Sequence, residues 1–345
     1  SICFCASKKR ILNFSGKLIY WMSFFGLQDM LNFIWAVILL VLSYVEAMFR
    51  YFFPISKKDL TGKIVLITGG GGGLGKHLAI SFAKCGATII LWDIEKESND
   101  RNRNLVKAMK FNAFSYQCDC SDQESVAKMA EKVEAEIGPI DILVNNAGVL
   151  NGNSITVLSE KQIRSTFDVN VLAQFWTIKA FLPGMMQRSE GHIVTVSSSA
   201  GLNGTSYLTD YSASKFALVG LHESLALELR EQGFHNIQMT CVCPNFINTG
   251  MTWYPKTNVP WLIPILQVED AAQDIVDAVR EDRNVVVLPK VLGKVLSLKR
   301  LIPLRGQLAI YDYLGIGIEP HLSHRKSSSS LSRKRSPKMK SFTAT

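Results

Sequence analysis

Lys63-Ile64-Val65-Leu66-Ile67-Thr68-Gly69-Gly70-Gly71-Gly72-Gly73-Leu74-Gly75-Lys76 is the stretch that decides the fold. Ile64–Ile67 is a short, continuous apolar run rich in β-branched residues, as expected of a strand buried on both faces. The glycine run comes next, and Lys76–Cys85 then carries apolar residues at helical spacing. A glycine turn between strand and helix lets the backbone approach an anion, because the helix N-terminus presents unpaired N–H groups and the positive end of its dipole. Five glycines in a row would also suit a flexible loop, so the flanking strand and helix carry the reading.

Outward from this unit the same alternation continues. Apolar runs recur at Thr88–Trp92, Phe114–Cys118, Ile140–Val144, Ile193–Val196, Ile237–Val242 and Val285–Leu288. A polar helix to about Met109 and another over Ser121–Ile137 fall between the early ones. Continuous apolar strands alternating with helices predict a parallel sheet covered on both faces. The expected class is α/β, a single Rossmann-type doubly wound parallel sheet over 59–290. No internal repeat stands out.

The 345 residues carry 38 Lys and Arg against 29 Asp and Glu, a formal charge of +9. That charge is uneven. Residues 1–58 hold a net +5, and residues 321–345 hold a net +7 with no acid. Subtracting both from +9 leaves 59–320 at −3, so the basic character belongs to the ends. Beside apolar segments, an anionic membrane surface is a better partner for such ends than nucleic acid. The seven cysteines include three Cys-x-Cys pairs, Cys3/Cys5, Cys118/Cys120 and Cys241/Cys243. This is not the Cys-x-x-Cys spacing of zinc or redox sites, and packing on one strand face accounts for it. An odd count without a framework suits a reducing compartment. The histidines form no ligand-spaced cluster, so no metal is expected.

Asn32–Phe53 reads NFIWAVILLVLSYVEAMFRYFF. Its uncharged core, Phe33–Val45, has 13 residues, short of the ~20 that a simple span needs. Glu46 and Arg50 lie one turn apart and can pair, aromatic residues flank the run, and Lys57-Lys58 follow it. A helix embedded in, or obliquely crossing, a membrane interface is expected. The alternatives are an uncleaved signal peptide and a buried core helix. Residues 1–58 are therefore read as an anchoring segment and linker, with Met22 and Met30 as candidate starts. After Pro289 the chain is again apolar and basic, and 291–320 reads as a membrane-lying segment or a domain-capping helix. Residues 321–345 are Ser-rich, basic and without hydrophobic period, as expected of a disordered tail.

The second strand ends Leu91-Trp92-Asp93, eighteen residues past Gly75. An acid at this point accepts hydrogen bonds from adenosine ribose hydroxyls and repels a 2′-phosphate. No basic residue lies within Gly70–Gly73, and Ile94 follows the acid; both favour NAD over NADP. Further on, Tyr211-Ser212-Ala213-Ser214-Lys215 sets a phenol and an ammonium one helical turn apart on one face. Tyrosine alone is a poor base, with a pKa of about 10. A neighbouring ammonium favours the phenolate and makes proton transfer with a substrate hydroxyl feasible. Taken alone, the pair also fits a solvated helix face.

Together these motifs resemble the short-chain dehydrogenase/reductase family over about 61–290. The matching residues are Thr68-Gly69-x-x-x-Gly73-Leu74-Gly75, Asn145-Asn146-Ala147-Gly148, Asn170, Ser198 thirteen residues before Tyr211, and Tyr211-x-x-x-Lys215. The apolar N-terminal segment, Leu91–Ile94, Cys118–Ser121, Thr249-Gly250-Met251 and Ile310–Gly315 are similar to the membrane-associated branch that acts on retinol and 17-beta-hydroxysteroids.

The resemblance implies roles residue by residue. Tyr211 would be the acid/base, Lys215 would lower its pKa and hold the nicotinamide ribose, and Ser198 would orient the substrate oxygen. Asn170 would position a water that links Lys215 to solvent. Gly69, Gly73, Leu74, Gly75 and Asp93 would contact the cofactor, with Asp119 and Cys120 at its adenine. Asn146, Ala147 and Gly148 would line its side, and Pro244, Ile247 and Thr249 would lie near the nicotinamide. Asn245 stands where many members have glycine, which changes the expected loop shape.

Met251, Trp253, Tyr254, Trp261, Leu262 and Ile263 read as an apolar lid over a lipophilic substrate. The expected function is NAD-dependent oxidation of retinol to retinal at the endoplasmic reticulum membrane or a lipid droplet. The rivals are a 17-beta-hydroxysteroid or other lipid alcohol, and an inactive scaffold, which the complete Asn170, Ser198, Tyr211, Lys215 set argues against. A glycan on the sequon Asn203-Gly204-Thr205 would obstruct the site, which favours a cytosolic face for the domain. A homodimer is the family's habit.

Overall fold

The computed structural model describes residues 26–53, 56–251, 255–299 and 301–319. The readings made for residues 1–25, for Trp253 and Tyr254, and for the tail 321–345 lie outside the described residues. The chain divides at residues 56 and 57 into an N-terminal unit and a second unit.

In the N-terminal unit, α1 runs Leu27–Phe52 without interruption. Its 26 residues extend roughly 39 Å at 1.5 Å each, more than the ~30 Å of a bilayer's hydrocarbon core. The stretch Gln28–Glu46 is long and apolar enough to cross a membrane. The helix therefore offers 19 residues, where the uncharged run alone counts 13. Phe33, Trp35, Leu40, Tyr44 and Phe49 are exposed on every side of it. The ring of Phe49 stacks on that of Phe53.

The second unit is built on seven parallel strands. These are β1 (Ile64–Thr68), β2 (Thr88–Asp93), β3 (Ala113–Gln117), β4 (Ile142–Asn145), β5 (Gly191–Val196), β6 (Ile237–Pro244) and β8 (Val285–Leu288), in the spatial order β3-β2-β1-β4-β5-β6-β8. This is the doubly wound sheet expected from the alternation of runs. Alternate residues of β1 divide between its faces, as a period of two requires. Val65 and Ile67 pack with Phe82 of α2 (Gly73–Lys84) and Ile275 of α8 (Val268–Arg280). Leu66 packs on the other face with Val133 of α4 (Gln123–Glu136), Phe181 of α6 (Ala173–Arg188) and Leu225 of α7 (Thr209–Glu231). Burying a side chain such as Phe82 completely contributes about 1.5–3 kcal/mol. The remaining helices of the sheet are α3 (Lys96–Ala108) and α5 (Glu160–Phe167), the latter opened by a Ser159/Gln162 capping box.

The winding reverses between β1 and β4, and the crevice at the carboxyl ends of these strands is where such sheets bind ligands. Beyond β6 the apolar segment 255–268 does not remain free. Its β7 (Pro255–Lys256) pairs antiparallel with β9 (Gly317–Ile318). Val259 and Ile263 are buried against Leu292 of α9 (Lys290–Lys299), with Leu314 of α10 (Leu304–Leu314) packed on them. Trp261, in the same segment, stays 76 % exposed.

Candidate active site

The switch-point crevice is held open by Thr68 at the end of β1. Its hydroxyl accepts the backbone N–H groups of Asn146 (3.0 Å) and Ala147 (3.0 Å). Asn146 returns the contact through Nδ2, which donates to the Thr68 carbonyl at 2.9 Å. The ends of β1 and β4 are thereby fixed at one separation. Asn145 points the other way and braces the sheet, accepting from Thr177 Oγ1 at 2.7 Å.

The glycine turn leaves no room for side chains at Gly69, Gly70, Gly71 and Gly75. A Cβ on Gly75 would meet the Gly69 carbonyl oxygen, and one on Gly69, which has φ +66°, would lie 2.9 Å from Ala147 Cα. α2 starts at Gly73 with no side-chain cap and no acid in its first turn, so its N–H groups remain available to an anion. Asp93 anchors this turn, accepting from Gly71 N at 2.8 Å through one oxygen and from Glu95 N at 2.9 Å through the other. These features fit a dinucleotide, with the pyrophosphate on Gly69–Gly75 and a ribose diol at Asp93.

The turn and Asp93 form one end of a cavity of about 570 Å³. Gly69, Gly73, Leu74, Gly75, Asp93, Asn146, Ala147, Gly148, Ser198, Tyr211, Lys215, Pro244, Ile247 and Thr249 all line it. The structure thus brings together residues up to 180 positions apart in the chain, from Gly69 to Thr249.

Three predicted residues are placed elsewhere. Asp119 accepts from Ser121 N (2.9 Å) and Ser121 Oγ (2.6 Å), shaping the turn before α4. Cys120 is buried beside it, with the hydrogen bond to the Cys118 thiol and then burial raising its pKa. Asn170 is fully buried on a π turn, Asp168–Leu172, and both ends of its amide are engaged. Its Oδ1 accepts from Val149 N at 2.7 Å, and its Nδ2 donates to Val149 O and Ser214 Oγ, each at 3.0 Å. The side chain of Asn170 braces the loop behind Lys215.

Three consecutive serines close β5, and the fold sorts them. Ser197 Oγ donates to the Lys215 carbonyl at 2.9 Å, and Ser199 Oγ donates to Asn245 Oδ1 at 3.1 Å. Ser198 lies between, accepting from Ala200 N at 3.1 Å and donating to Pro244 O at 3.3 Å, and it lines the site cavity with Tyr211. Asn245, in the place of a glycine, thus holds the 199 turn against β6.

The electrostatics of the pair differ from the expectation of an ammonium lowering the tyrosine pKa. Tyr211 keeps some surface toward the cavity, yet burial of its hydroxyl pushes the pKa up to about 12, with the Ser198 hydrogen bond pulling the other way. Burial also brings Lys215 down to about 8. Geometry explains why the lysine does not offset the desolvation of the phenolate. Its Nζ donates to Val196 O at 2.9 Å and sits 5.5 Å from the centre of the tyrosine ring, over the ring rather than at its oxygen.

Sequence reading missed the Thr68 staple and the buried Asn151–Thr166–Asp210 network directly before Tyr211, in which Asp210 Oδ2 accepts at 2.8 and 2.9 Å. Thr68 carried a signal, since it is the polar residue that ends an apolar strand. The network carried none, because its members lie far apart in sequence. Among the described residues no group of three or more His, Cys, Asp or Glu could hold a metal. Cys241 and Cys243 are buried on β6 with their sulfurs 3.8 Å apart.

Parallel strands, a glycine turn at the switch point and a Tyr-Ser-Lys cluster on the cavity wall define a Rossmann-type fold with a candidate acid/base site. The short chain dehydrogenase family model matches residues 63–259, and the chain belongs to this family. It is 43 % identical to human epidermal retinol dehydrogenase 2 over 275 residues, which covers 79 % of this chain and 89 % of that protein. Estradiol 17-beta-dehydrogenase 11 of Pongo abelii is 39 % identical over 287 residues, covering 83 % of this chain and 95 % of its own. Among solved structures, a short chain dehydrogenase/reductase of Burkholderia phymatum in complex with NAD superposes with a TM-score of 0.64 at 25 % identity. That match covers 71 % of this chain and 95 % of the other.

Proposed function

We propose that this chain is an oxidoreductase that uses NAD and a lipophilic alcohol, and that all-trans-retinol, oxidised to all-trans-retinal, is its main substrate. The observation that carries this reading is the Tyr211–Ser198–Lys215 cluster on the wall of a cavity that also reaches the glycine turn and Asp93. NAD, when bound, supplies the hydride acceptor. The chain's own residues do the remaining work. Ser198 orients the alcohol oxygen, Tyr211 exchanges its proton, and Lys215 holds the adjacent ribose hydroxyls. Asn170 keeps the loop at Val149 in register with Lys215. Asp93, with no cation beside it on the cavity wall, favours NAD over NADP. Asp119 and Cys120, which do not line the cavity, would lie beyond Asp93 at the adenine end of the cofactor.

The likeness to a retinol dehydrogenase supports retinol, and the likeness to an estradiol dehydrogenase supports a 17-beta-hydroxysteroid as the second reading. Membranes bearing the protein, given retinol or estradiol with NAD or NADP, should form retinal fastest with NAD. Equal or faster oxidation of estradiol would overturn the choice of retinol.

We place α1 in the endoplasmic reticulum membrane or at a lipid-droplet surface, with the catalytic unit on the cytosolic side and the basic ends near anionic lipid. The length and apolar character of α1 support this placement. Alkaline carbonate should leave the full chain in the membrane pellet; its release would count against an embedded α1.

A further inference from the structure

A second cavity, of about 490 Å³, lies between α9, α10 and the segment 199–212. It shares Ser199, Thr205 and Asn245 with the wall of the site cavity, so the two adjoin beside Ser198. Away from that shared wall its lining is mainly aliphatic, with Val295 and Leu296 of α9 and Leu308 of α10 among the residues concerned. The shared end is polar. There Ser212, one residue after Tyr211 and 7 % exposed, contributes to the lining, and its buried hydroxyl has no hydrogen-bond partner among the described residues. The groove is built into the unit. Tyr311 of α10 hydrogen-bonds Ser206 Oγ at 2.6 Å and accepts from Ser206 N at 3.2 Å, tying the helix to the loop before α7. Its outer rim carries Leu304, 69 % exposed, and Leu308, 54 % exposed. A volume of this order lies within the range of small-molecule pockets.

We infer that this groove receives the hydrocarbon chain of the substrate alcohol, and so sets the chain length the enzyme prefers. This rests on the proposed lipophilic-alcohol reading. A molecule with its hydroxyl at Ser198 and Tyr211 passes the Ser199–Asn245 wall and continues between α9 and α10. The polar-to-apolar gradient along this path matches an elongated alcohol with one polar end. A compact ring system would fill the site cavity and leave the groove empty. Each further methylene buried there should raise kcat/KM by about fourfold until the groove is full.

The test is a homologous series of primary alcohols, from short to long, on the full-length protein in detergent, beside a fluorescent fatty-alcohol probe titrated without cofactor. Val295→Trp and Leu308→Trp narrow the groove from its two walls. Each should lower the ratio of long-chain to short-chain kcat/KM at least tenfold and weaken probe binding to the same degree. A folding defect would lower both rates together and leave the ratio unchanged, and that outcome in both variants would overturn the inference. Unaltered probe affinity in both would do so too. Should the wild type oxidise no alcohol yet bind the probe in a manner both variants abolish, the groove stands and the proposed reaction falls.

Discussion

The glycine-turn end of the site cavity comes mainly from one stretch, β1 to β2, with 146–150 beside it, whereas the opposite end is gathered from 196–215, 244–251 and, past a shared wall, 290–316. At the first end the backbone does the work. Gly75 is excluded from carrying a side chain by the Gly69 carbonyl, and Asp93 spends one hydrogen bond on Gly71 N. At the second end side chains do it, through Ser198, Tyr211 and the α10 clasp on Ser206. Backbone geometry tolerates almost no substitution, while side chains can be exchanged for others of the same size. A site built this way keeps one cofactor and varies its substrate.

The largest effect should come from the chemical end. Tyr211→Phe should lower kcat by about a thousandfold or more, as the loss of an acid/base group does, and leave NADH affinity within about twofold. Steady-state rates and a fluorescence titration would check both. A large loss of NADH binding would mean that the two ends are coupled and the contrast between them is false.

Lys215 offers a stability test of the same contrast. Its folded pKa, about 8, lies below the 10.5 of a free lysine, so between these values the unfolded chain binds more protons. Stability should therefore rise as pH is raised from 8 to 10, toward an upper bound of about 3 kcal/mol. Above pH 10 the raised pKa of Tyr211 reverses the sign, because the folded state then holds the extra proton. Urea unfolding at pH 8 and pH 10 should show the rise in the wild type and lose it in Lys215→Met. A rise that persists in the variant would assign it to other groups.

At the glycine end, Gly75→Ala sets a methyl against a backbone carbonyl that cannot rotate away. Overpacking of this kind costs about 1–3 kcal/mol, so NAD affinity should fall about tenfold to a hundredfold. Gly204→Ala, where an added Cβ meets nothing within 4 Å, should change NAD affinity by less than about twofold. Equal effects from the two would show that the turn is flexible rather than fitted.

The same division explains what could be read from the sequence. The parallel sheet was legible because each strand is a continuous apolar run, and buried strands need no partner in sequence to be seen. Gly69–Gly75, Asp93 and Tyr211–Lys215 were legible because their spacing is local. The choice among Ser197, Ser198 and Ser199 rested on spacing alone, and the fold engages all three hydroxyls, Ser197 with Lys215 O, Ser198 with Pro244 O and Ser199 with Asn245. Asn170 was found by its motif, yet its side chain braces Val149 and Ser214, contacts between segments 21 and 44 residues apart. The pairing of 255–256 with 317–318 was illegible, since two-residue strands leave no period to detect. The depth of Lys215 was illegible for a related reason, because helical spacing fixes which face it occupies but not how deeply it is buried.

The smallest effect separates the clasp from the catalytic machinery. Tyr311→Phe removes a hydroxyl that both accepts from Ser206 N and bonds Ser206 Oγ, at a place where water can replace it. The net value of such a bond is about 0.5–1.5 kcal/mol, and the partial exposure puts this one at the lower end. Thermal unfolding should shift by a few degrees at most, and kcat with a short alcohol should change less than twofold. The informative reading is KM for a long-chain alcohol, which should rise several-fold if the clasp sets the distance between α10 and the 203–208 loop. An unchanged KM would show that the hydrophobic contacts of α9 and α10 with Val259 and Ile263 hold that wall without it.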